Sequence, residues 1–244
     1  MLTVEENALL TQVGPGTPTG ELLRRYWWPI GFSTELTSKP RRVRVLGEDL
    51  VLFRLPGSGS LGLLALHCAH RGAGLQYGRV ESDGIRCCYH GWYFAPDGRC
   101  LDQPVESPES TFKDRVRQPA YLACELGGLI FGYLGPQPAP LLPRYDVLVH
   151  DGGTRTLRSF PNYNNWLQGV ENAADMSHIM WLHASQYPQF AAQRPTIEWE
   201  RTDYGMRFEI DGIAGIGEAN VGSLIFPAHN RFASRRVGQE PSHM

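Results

Sequence analysis

The sequence has no long apolar run and almost no excess of either charge. Its 244 residues are 42% hydrophobic and 20% charged, with a formal net charge of -2. No run approaches the roughly 20 apolar residues that cross a bilayer, and the chain begins with Glu5 and Glu6 where a secretory signal would carry positive charge. We therefore expect a cytoplasmic protein. Neither nucleic acid nor membrane is expected as a partner, because no basic field favours them.

Cysteine is scarce as well, with five residues in the whole chain. Disulfides are rare in a reducing compartment, and two of the five, Cys87 and Cys88, are adjacent in sequence. Metal binding is therefore the better interpretation for at least some of the cysteines.

Three stretches of the chain differ in pattern. Residues 1–29 hold short helical patterns, the second of which should end at Pro29. Residues 30–142 hold short β-rich runs separated by Gly, Pro, Asp and Ser, closed by a proline-rich linker. In residues 143–244 a strongly helical stretch at 164–185 precedes alternating, strand-like sequence. The predicted class is α+β, an all-β domain followed by a helix and an antiparallel sheet.

One motif resembles a nucleotide site by its letters alone. Gly57-x-Gly59-x-x-Gly62 matches the dinucleotide fingerprint, but strand-like sequence follows it where the fingerprint requires a helix. We therefore interpret it as a hairpin loop.

The most informative stretch carries two short motifs, Cys68-x-His70 and Cys87-x-x-His90, which are joined by the sixteen residues 71–86. Thiolate and imidazole ligands together suit zinc or an iron-sulfur centre. The two motifs could together supply one ligand pair to each of two irons, as in the Cys2His2 set of a Rieske [2Fe-2S] cluster.

A structural zinc site is the alternative, because it uses the same ligand types. Zinc fingers usually take a cysteine pair from one loop and a histidine pair from another, whereas here each loop offers one of each. Gly72 and Gly91 would also let backbone N–H groups approach cluster sulfides, where hydrogen bonds tune the potential. The pattern favours the Rieske cluster.

The segment CAHRGAGLQYGRVESDGIRCCYHGWYF resembles the Rieske signature of the ring-hydroxylating oxygenases, and MLTVEENALLTQVGPGTPTGELLRRYWWP with ESTFKDRVR resembles the phthalate 4,5-dioxygenase-like branch. Two positions that are commonly proline in this family are Ala69 and Cys88 here. Cys87 has the required spacing to the following histidine, so we assign it as the ligand and Cys88 as a neighbouring thiol. We expect Cys100 and Cys124 to be small buried hydrophobic residues.

A second candidate site lies in the helical stretch, which contains His178 and His183. Residues five apart are roughly 140° apart on an ideal helix, so the two rings do not share a face. A common metal requires a distortion or a helix end between them. From spacing alone, a metal pair and ordinary packing or surface histidines remain equal alternatives.

The family resemblance favours the metal pair. It implies that His178 and His183 bind a mononuclear Fe(II), and that Asp175 hydrogen-bonds His178 and fixes its orientation. It also implies that Asp175 links to His90 of a neighbouring subunit, in a homotrimer.

The third ligand of such an iron is a carboxylate, and the sequence does not identify it. Only 61 residues follow His183, and none of their carboxylates has the family's context. Most lie in alternating sequence where charge marks the solvated face of a strand; the candidates are Glu198, Glu200, Asp203, Glu209, Asp211 and Glu218.

The resemblance implies a helix-grip type of catalytic domain, and we expect this domain to be incomplete at its C-terminus. The predicted function is that of the oxygenase component of a Rieske non-haem iron system in aromatic catabolism. A reductase or ferredoxin would pass electrons from NAD(P)H to the cluster, and the mononuclear iron would use O2 to hydroxylate a small aromatic substrate, with aromatic carboxylates among the candidates. The alternative is a Rieske electron-transfer protein whose truncated second domain is inactive.

Overall fold

The computed structural model of the chain describes residues 2–191, 194–211, 219–235 and 242–243. It has two compact units, Met1–Ser159 and Phe160–Met244. Residues 143–159, which the sequence assigns to the second domain, belong to the first unit. The predicted domain boundaries stay a prediction.

Two short helices open the first unit, α1 (Val4–Thr11) and α2 (Pro18–Leu23). Thr17 caps α2 through its hydroxyl, and the helix ends at Leu23. The prediction that this helix runs to Pro29 is wrong, because Pro29 lies in a strand opposite Phe131. That strand is at the edge of its sheet, where a residue without an N–H is tolerated.

Most of the first unit is antiparallel sheet. The strands of this unit are β1 (Trp27–Phe32), β2 (Arg41–Val45), β3 (Glu48–Arg54), β4 (Leu61–Ala65), β5 (Arg79–Val80), β6 (Ile85–Arg86), β7 (Tyr93–Phe94), β8 (Cys100–Asp102), β9 (Ala120–Leu126) and β10 (Leu129–Tyr133). A six-stranded sheet has the order β1-β10-β9-β4-β3-β2, and a small four-stranded sheet has the order β5-β6-β7-β8. A short helix, α3 (Asp146–Val149), follows.

Strand β3 separates two hydrophobic cores. Successive side chains of a strand point to opposite faces, so Val51 and Phe53 pack into one core while Leu50 and Leu52 pack into the other. Burial on both faces explains the uninterrupted apolar run at the centre of this strand. The core around Val51 and Phe53 also includes residues of the four-stranded sheet and the cysteines of the two predicted ligand motifs.

The loop between β3 and β4 is a hairpin connection, as predicted. Gly57 and Gly59 both have positive φ, 81° and 71°, a region that glycine occupies without steric cost. The glycine motif therefore forms a turn between paired strands.

The second unit combines helices with a five-stranded antiparallel sheet in sequential order. Its helices are α4 (Trp166–Ala174) and α5 (Ser177–Trp181), and its strands are β11 (Thr196–Thr202), β12 (Gly205–Asp211), β13 (Ala219–Ile225), β14 (His229–Arg235) and β15 (Ser242–His243). Met176 and Phe190 from the helical part pack with Phe208 and Ile210 of β12. The predicted α+β class is confirmed. Within the described residues, no helix is both long and apolar enough to cross a membrane.

Candidate functional site

The two ligand motifs fold into loops with the same backbone pattern. In the first ligand loop (67–74), the Cys68 N–H donates to Ala73 O and its carbonyl accepts from the Gly72 N–H, at 2.9 and 2.8 Å. In the second ligand loop (87–92), the corresponding bonds join Cys87 to Trp92 and Gly91, at 2.8 and 3.1 Å. The two ligand loops therefore form the same turn.

The glycine of each turn has a left-handed backbone. Gly72 has φ of 72° and Gly91 has φ of 74°, a region in which a Cβ is strained. The glycines therefore allow the turns to close.

The four donors sort into an inner and an outer pair. Cys68 and Cys87 are each only 4% exposed and belong to the hydrophobic core. Burial raises the pKa of the Cys68 thiol to about 11, and the adjacent Cys87 thiol contributes to the same rise. His70 and His90 are half-buried, with ring centroids 4.7 Å apart.

This arrangement fits a binuclear centre better than a single ion. Each loop contributes one thiol to the inner pair and one imidazole to the outer pair, and a Rieske cluster requires two cysteines on one iron and two histidines on the other. The separation into a buried thiol pair and a half-buried imidazole pair favours the cluster over a structural zinc site, in which all four donors would surround one ion.

Aromatic rings support the outer imidazoles. Trp92 is buried and lies parallel to the ring of His70, with centroids 4.4 Å apart and an interplanar angle of 7°. Phe112 meets Trp92 edge-on at 6.0 Å, and Tyr89 lies 3.8 Å from the ring of His90. These ring contacts limit the rotation of both imidazoles.

The remaining cysteines divide into exposed and buried ones. Cys88 is exposed, and Cys100 is buried as predicted. The prediction that Cys124 is buried is wrong, because this residue is exposed on β9. Tyr121 and Ala123 of that strand pack against the core, so the strand alternation turns Cys124 outward.

Two side chains that the sequence gives no reason to select hold the ligand loops from outside. Gln118 bonds the first loop, with its side-chain oxygen 2.8 Å from Ala69 N. Arg86 bonds the second loop, with its guanidinium 2.8 Å from Gly91 O. A glutamine far along the chain carries no motif signal. The position of Arg86 next to a ligand cysteine is the only hint of its role.

The stretch 164–185 is helical as predicted, but it is interrupted and does not form one helix. The chain forms α4, breaks at Asp175, continues as α5 and ends in a 3-10 turn at His183–Ser185. Asp175 has an extended backbone, and its carboxylate accepts from the Ser177 N–H at 2.9 Å. This local bond competes with continuation of the helix.

The end of α5 lies between the two histidines, which would otherwise stand on different faces of one continuous helix. Helix α5 ends at Trp181, so His178 lies in the helix and His183 in the following 3-10 turn. Their ring centroids are 5.3 Å apart. A helix end lies between them, as a shared metal requires.

Asp175 orients His178 by a different route from the expected one. The His178 Nδ1 bonds to the backbone carbonyl of Asp175, while the carboxylate is 3.8 Å away and bonds Ser177. A carbonyl only accepts, so Nδ1 carries the proton and Nε2 keeps its lone pair for a metal. The hydrogen bond from Ser177 is the main cause that lowers the pKa of the Asp175 carboxyl.

The carboxylate ligand remains unidentified. No acidic side chain in the described ranges joins the two histidines in a three-residue metal group. Glu198, Glu200 and Asp211 are exposed on their strands, and Glu209 is paired with Arg207. Glu218 lies outside the described residues.

Comparison with known proteins agrees with this donor chemistry. Residues 26–121 match the family model of the Rieske [2Fe-2S] domain, a range that includes all four donors. The chain is 44% identical over 219 residues to the 5,5'-dehydrodivanillate O-demethylase oxygenase subunit of Sphingobium sp. (strain NBRC 103272 / SYK-6), covering 85% of this chain and 51% of that protein. It is 34% identical over 230 residues to the phthalate 4,5-dioxygenase oxygenase subunit of Pseudomonas putida, covering 85% and 52%.

A solved structure shows the same fold over most of the chain. The NdmA QL mutant of Pseudomonas putida CBB5 with caffeine matches with a TM-score of 0.74 and 25% identity, covering 90% of this chain and 66% of that one. The chain spans about half the length of the two curated relatives.

Proposed function

This chain belongs to the Rieske oxygenases, and from that premise we propose that it acts as the oxygenase component of a multicomponent Rieske non-haem iron system. Electrons from NAD(P)H would arrive through a reductase or ferredoxin, and O2 would be used to hydroxylate a small aromatic substrate. The observation that supports this most is the presence of two separate donor sets on one chain, the paired ligand loops and the pair of histidines around a helix end. A supply of NAD(P)H also favours a cytoplasmic location.

The first donor set, Cys68, His70, Cys87 and His90, would hold the [2Fe-2S] cluster. When bound, the cluster accepts and releases single electrons. The chain contributes burial and rigidity: the cysteines lie in the core, and Trp92 fixes the plane of His70.

The second donor set would hold the mononuclear Fe(II), with His178 and His183 as two of its protein ligands. When bound, the iron supplies the open coordination positions at which O2 is activated. Asp175 contributes through its carbonyl, which holds the Nδ1 proton of His178 and leaves Nε2 as the basic nitrogen.

The Asp175 carboxylate has a further role in this proposal. Its side chain is about half exposed, at 52%, and one of its oxygens is already bonded to Ser177. We assign the other oxygen to His90 of a neighbouring subunit, which would connect the two metal sites in a homotrimer. Electrons would then pass between subunits through this hydrogen-bonded contact.

Metal content tests the proposal directly. Anaerobically purified protein should hold about three irons and two acid-labile sulfides per chain. The variant His178→Ala should lose about one iron and all O2-dependent product formation while keeping the cluster's EPR signal. His150→Ala, which changes an exposed histidine that belongs to neither donor set, serves as the matched control.

Other results would separate the alternatives. A full cluster with no third iron and no product would support the electron-transfer interpretation. A colourless, zinc-containing protein would reject the cluster altogether.

A further inference from the structure

We propose that Gln118 is a positioning residue for the cluster, acting through the first ligand loop; this inference rests on the proposed function of Cys68 and His70 as cluster ligands. Gln118 lies just before β9 and is only 2% exposed. It touches neither ligand side chain in the described hydrogen bonds. Its effect is exerted on the backbone between them.

All three polar positions of the Gln118 amide bind the segment that carries the first ligands. The side-chain nitrogen donates to Ala65 O at 2.8 Å and to His67 O at 2.9 Å. The side-chain oxygen accepts from the Ala69 N–H at 2.8 Å. Only this orientation of the amide satisfies two carbonyl acceptors and one N–H donor at once.

The bond to Ala69 matters most because this residue stands between the two ligands. Fixing the Ala69 N–H fixes the peptide plane that joins Cys68 to Ala69. The same plane sets where the thiol and the following imidazole can lie. Ala69 itself is exposed, so without Gln118 its N–H would be free to turn toward solvent.

Gln118 is itself held in place independently of the loop. Its backbone N–H donates to Gly98 O at 2.8 Å, and the neighbouring Pro119 carbonyl accepts from the Ala65 N–H at 2.8 Å. Gly98 has φ of 82°, and a Cβ there would lie 2.1 Å from the Gln118 carbonyl oxygen. The backbone of Gln118 is therefore held by bonds outside the first ligand loop, and its buried side chain binds that loop from a fixed position.

The second ligand loop is held by different chemistry. Arg86 donates to Gly91 O and also pairs with Asp102 and Glu81, and it is partly exposed. The first loop is thus held by a neutral, buried side chain and the second by a charged side chain near solvent. Among the described hydrogen bonds of these two side chains, the one from Ala69 to Gln118 involves the residue between two ligands.

The variants Gln118→Leu and Gln118→Glu test the role, with Tyr121→Phe as the matched control. The leucine removes all three bonds. The glutamate keeps the shape and the acceptor for Ala69 but places a carboxylate against two carbonyls. Tyr121 lies three residues after Gln118, and Tyr121→Phe removes its partly buried bond to Glu48, which involves no residue of the ligand loops.

We expect both Gln118 variants to lose iron to a chelator faster than the wild type, because removing a residue that orients metal ligands typically lowers metal affinity by about 10–100-fold. Their EPR g values and cluster midpoint potential should shift as well. Tyr121→Phe should lower the unfolding midpoint while leaving the g values and the potential unchanged. A loss of stability alone would lower the unfolding midpoint in all three variants. A change in the EPR g values and the cluster potential therefore distinguishes positioning of the ligands from a general loss of stability.

Two results would overturn the inference. One is a folded Gln118→Leu or Gln118→Glu protein with wild-type g values, potential and chelation rate. The other is measured on the wild type and holds even where the variants do not fold: fast hydrogen exchange of the Ala69 amide, which the bond to Gln118 should protect. A wild-type protein without any Rieske signal would instead reject the proposed function.

Discussion

The two loop glycines offer a matched pair of substitutions. Gly72 and Gly91 occupy equivalent positions with nearly equal φ, 72° and 74°. They differ in what a Cβ would meet. At Gly72 nothing lies within 4 Å, whereas at Gly91 the Cγ of Pro104 would be 2.7 Å away. Alanine at each position therefore separates backbone strain from steric overlap.

The expected costs follow from these contacts. Gly72→Ala should lower the free energy of unfolding by about 1–2 kcal/mol, the cost of a left-handed backbone with a Cβ. Gly91→Ala should add about 1–3 kcal/mol for overpacking. The total for Gly91→Ala is then roughly 2–5 kcal/mol. The overlap involves a ring carbon of Pro104, so Pro104→Ala should relieve it.

The assay is urea unfolding of the metal-free protein, followed by reconstitution and iron and sulfide analysis. In the double variant Gly91→Ala/Pro104→Ala, the Gly91 substitution should cost no more than Gly72→Ala does in the wild type. Cluster content should fall in the same order, with Gly91→Ala lowest. Equal destabilisation by the two glycine substitutions, or no relief from Pro104→Ala, would refute the reasoning.

Three further predictions concern the scaffold. Burial and the bond to Glu48 raise the pKa of Tyr121 to about 12, above the roughly 10 of an unfolded chain. The folded state therefore holds its proton longer, and the stability from this residue should be complete below pH ~10 and lost as pH rises to about 12. Urea midpoints across that window should fall less in Tyr121→Phe, and equal falls would contradict the assignment. Phe53→Ala, which empties a fully buried site, should cost about 3–5 kcal/mol in the same unfolding assay; a cost under about 1 kcal/mol would mean that the core is not packed as described. Arg86→Lys should broaden the cluster's EPR signal, because an ammonium cannot reproduce the fork that reaches Gly91, and an unchanged signal would show that this tie is dispensable.

The sequence could indicate that the four residues of the first donor set lie in two short loops, because that information is local. A cysteine and a histidine two or three residues apart must lie in one loop, and a glycine close after each histidine can take the positive φ of a tight turn. Both loops then need only a shared core to meet, and the apolar strands around Val51 and Phe53 provide it. The loops alone do not identify the metal centre, and the family resemblance indicates a Rieske cluster.

The supporting residues could not be predicted in the same way. Gln118 is an ordinary residue type whose role arises because β9 pairs with β4, and no pattern in the sequence states that pairing. The error at Pro29 has the same origin, since a local rule for helix ends was applied to a residue that a sheet edge accommodates. The prediction that Cys124 is buried failed because burial depends on which face of β9 meets the core. In each case the decisive fact is a contact between distant parts of the chain.

The second donor set lies between these two situations. The spacing of His178 and His183 excludes a shared face on one continuous helix, so the sequence alone shows that a common metal requires a break. The position of the break could not be read from composition, because Ala, Leu, Met and Glu favour helix throughout the stretch. The structure puts one break at Asp175, where a carboxylate bonds Ser177, and another after Trp181. The first break gives His178 its carbonyl partner, and the second brings the two rings to 5.3 Å. The departures from a regular helix are thus the features that turn two histidines on different faces into a candidate pair of iron ligands.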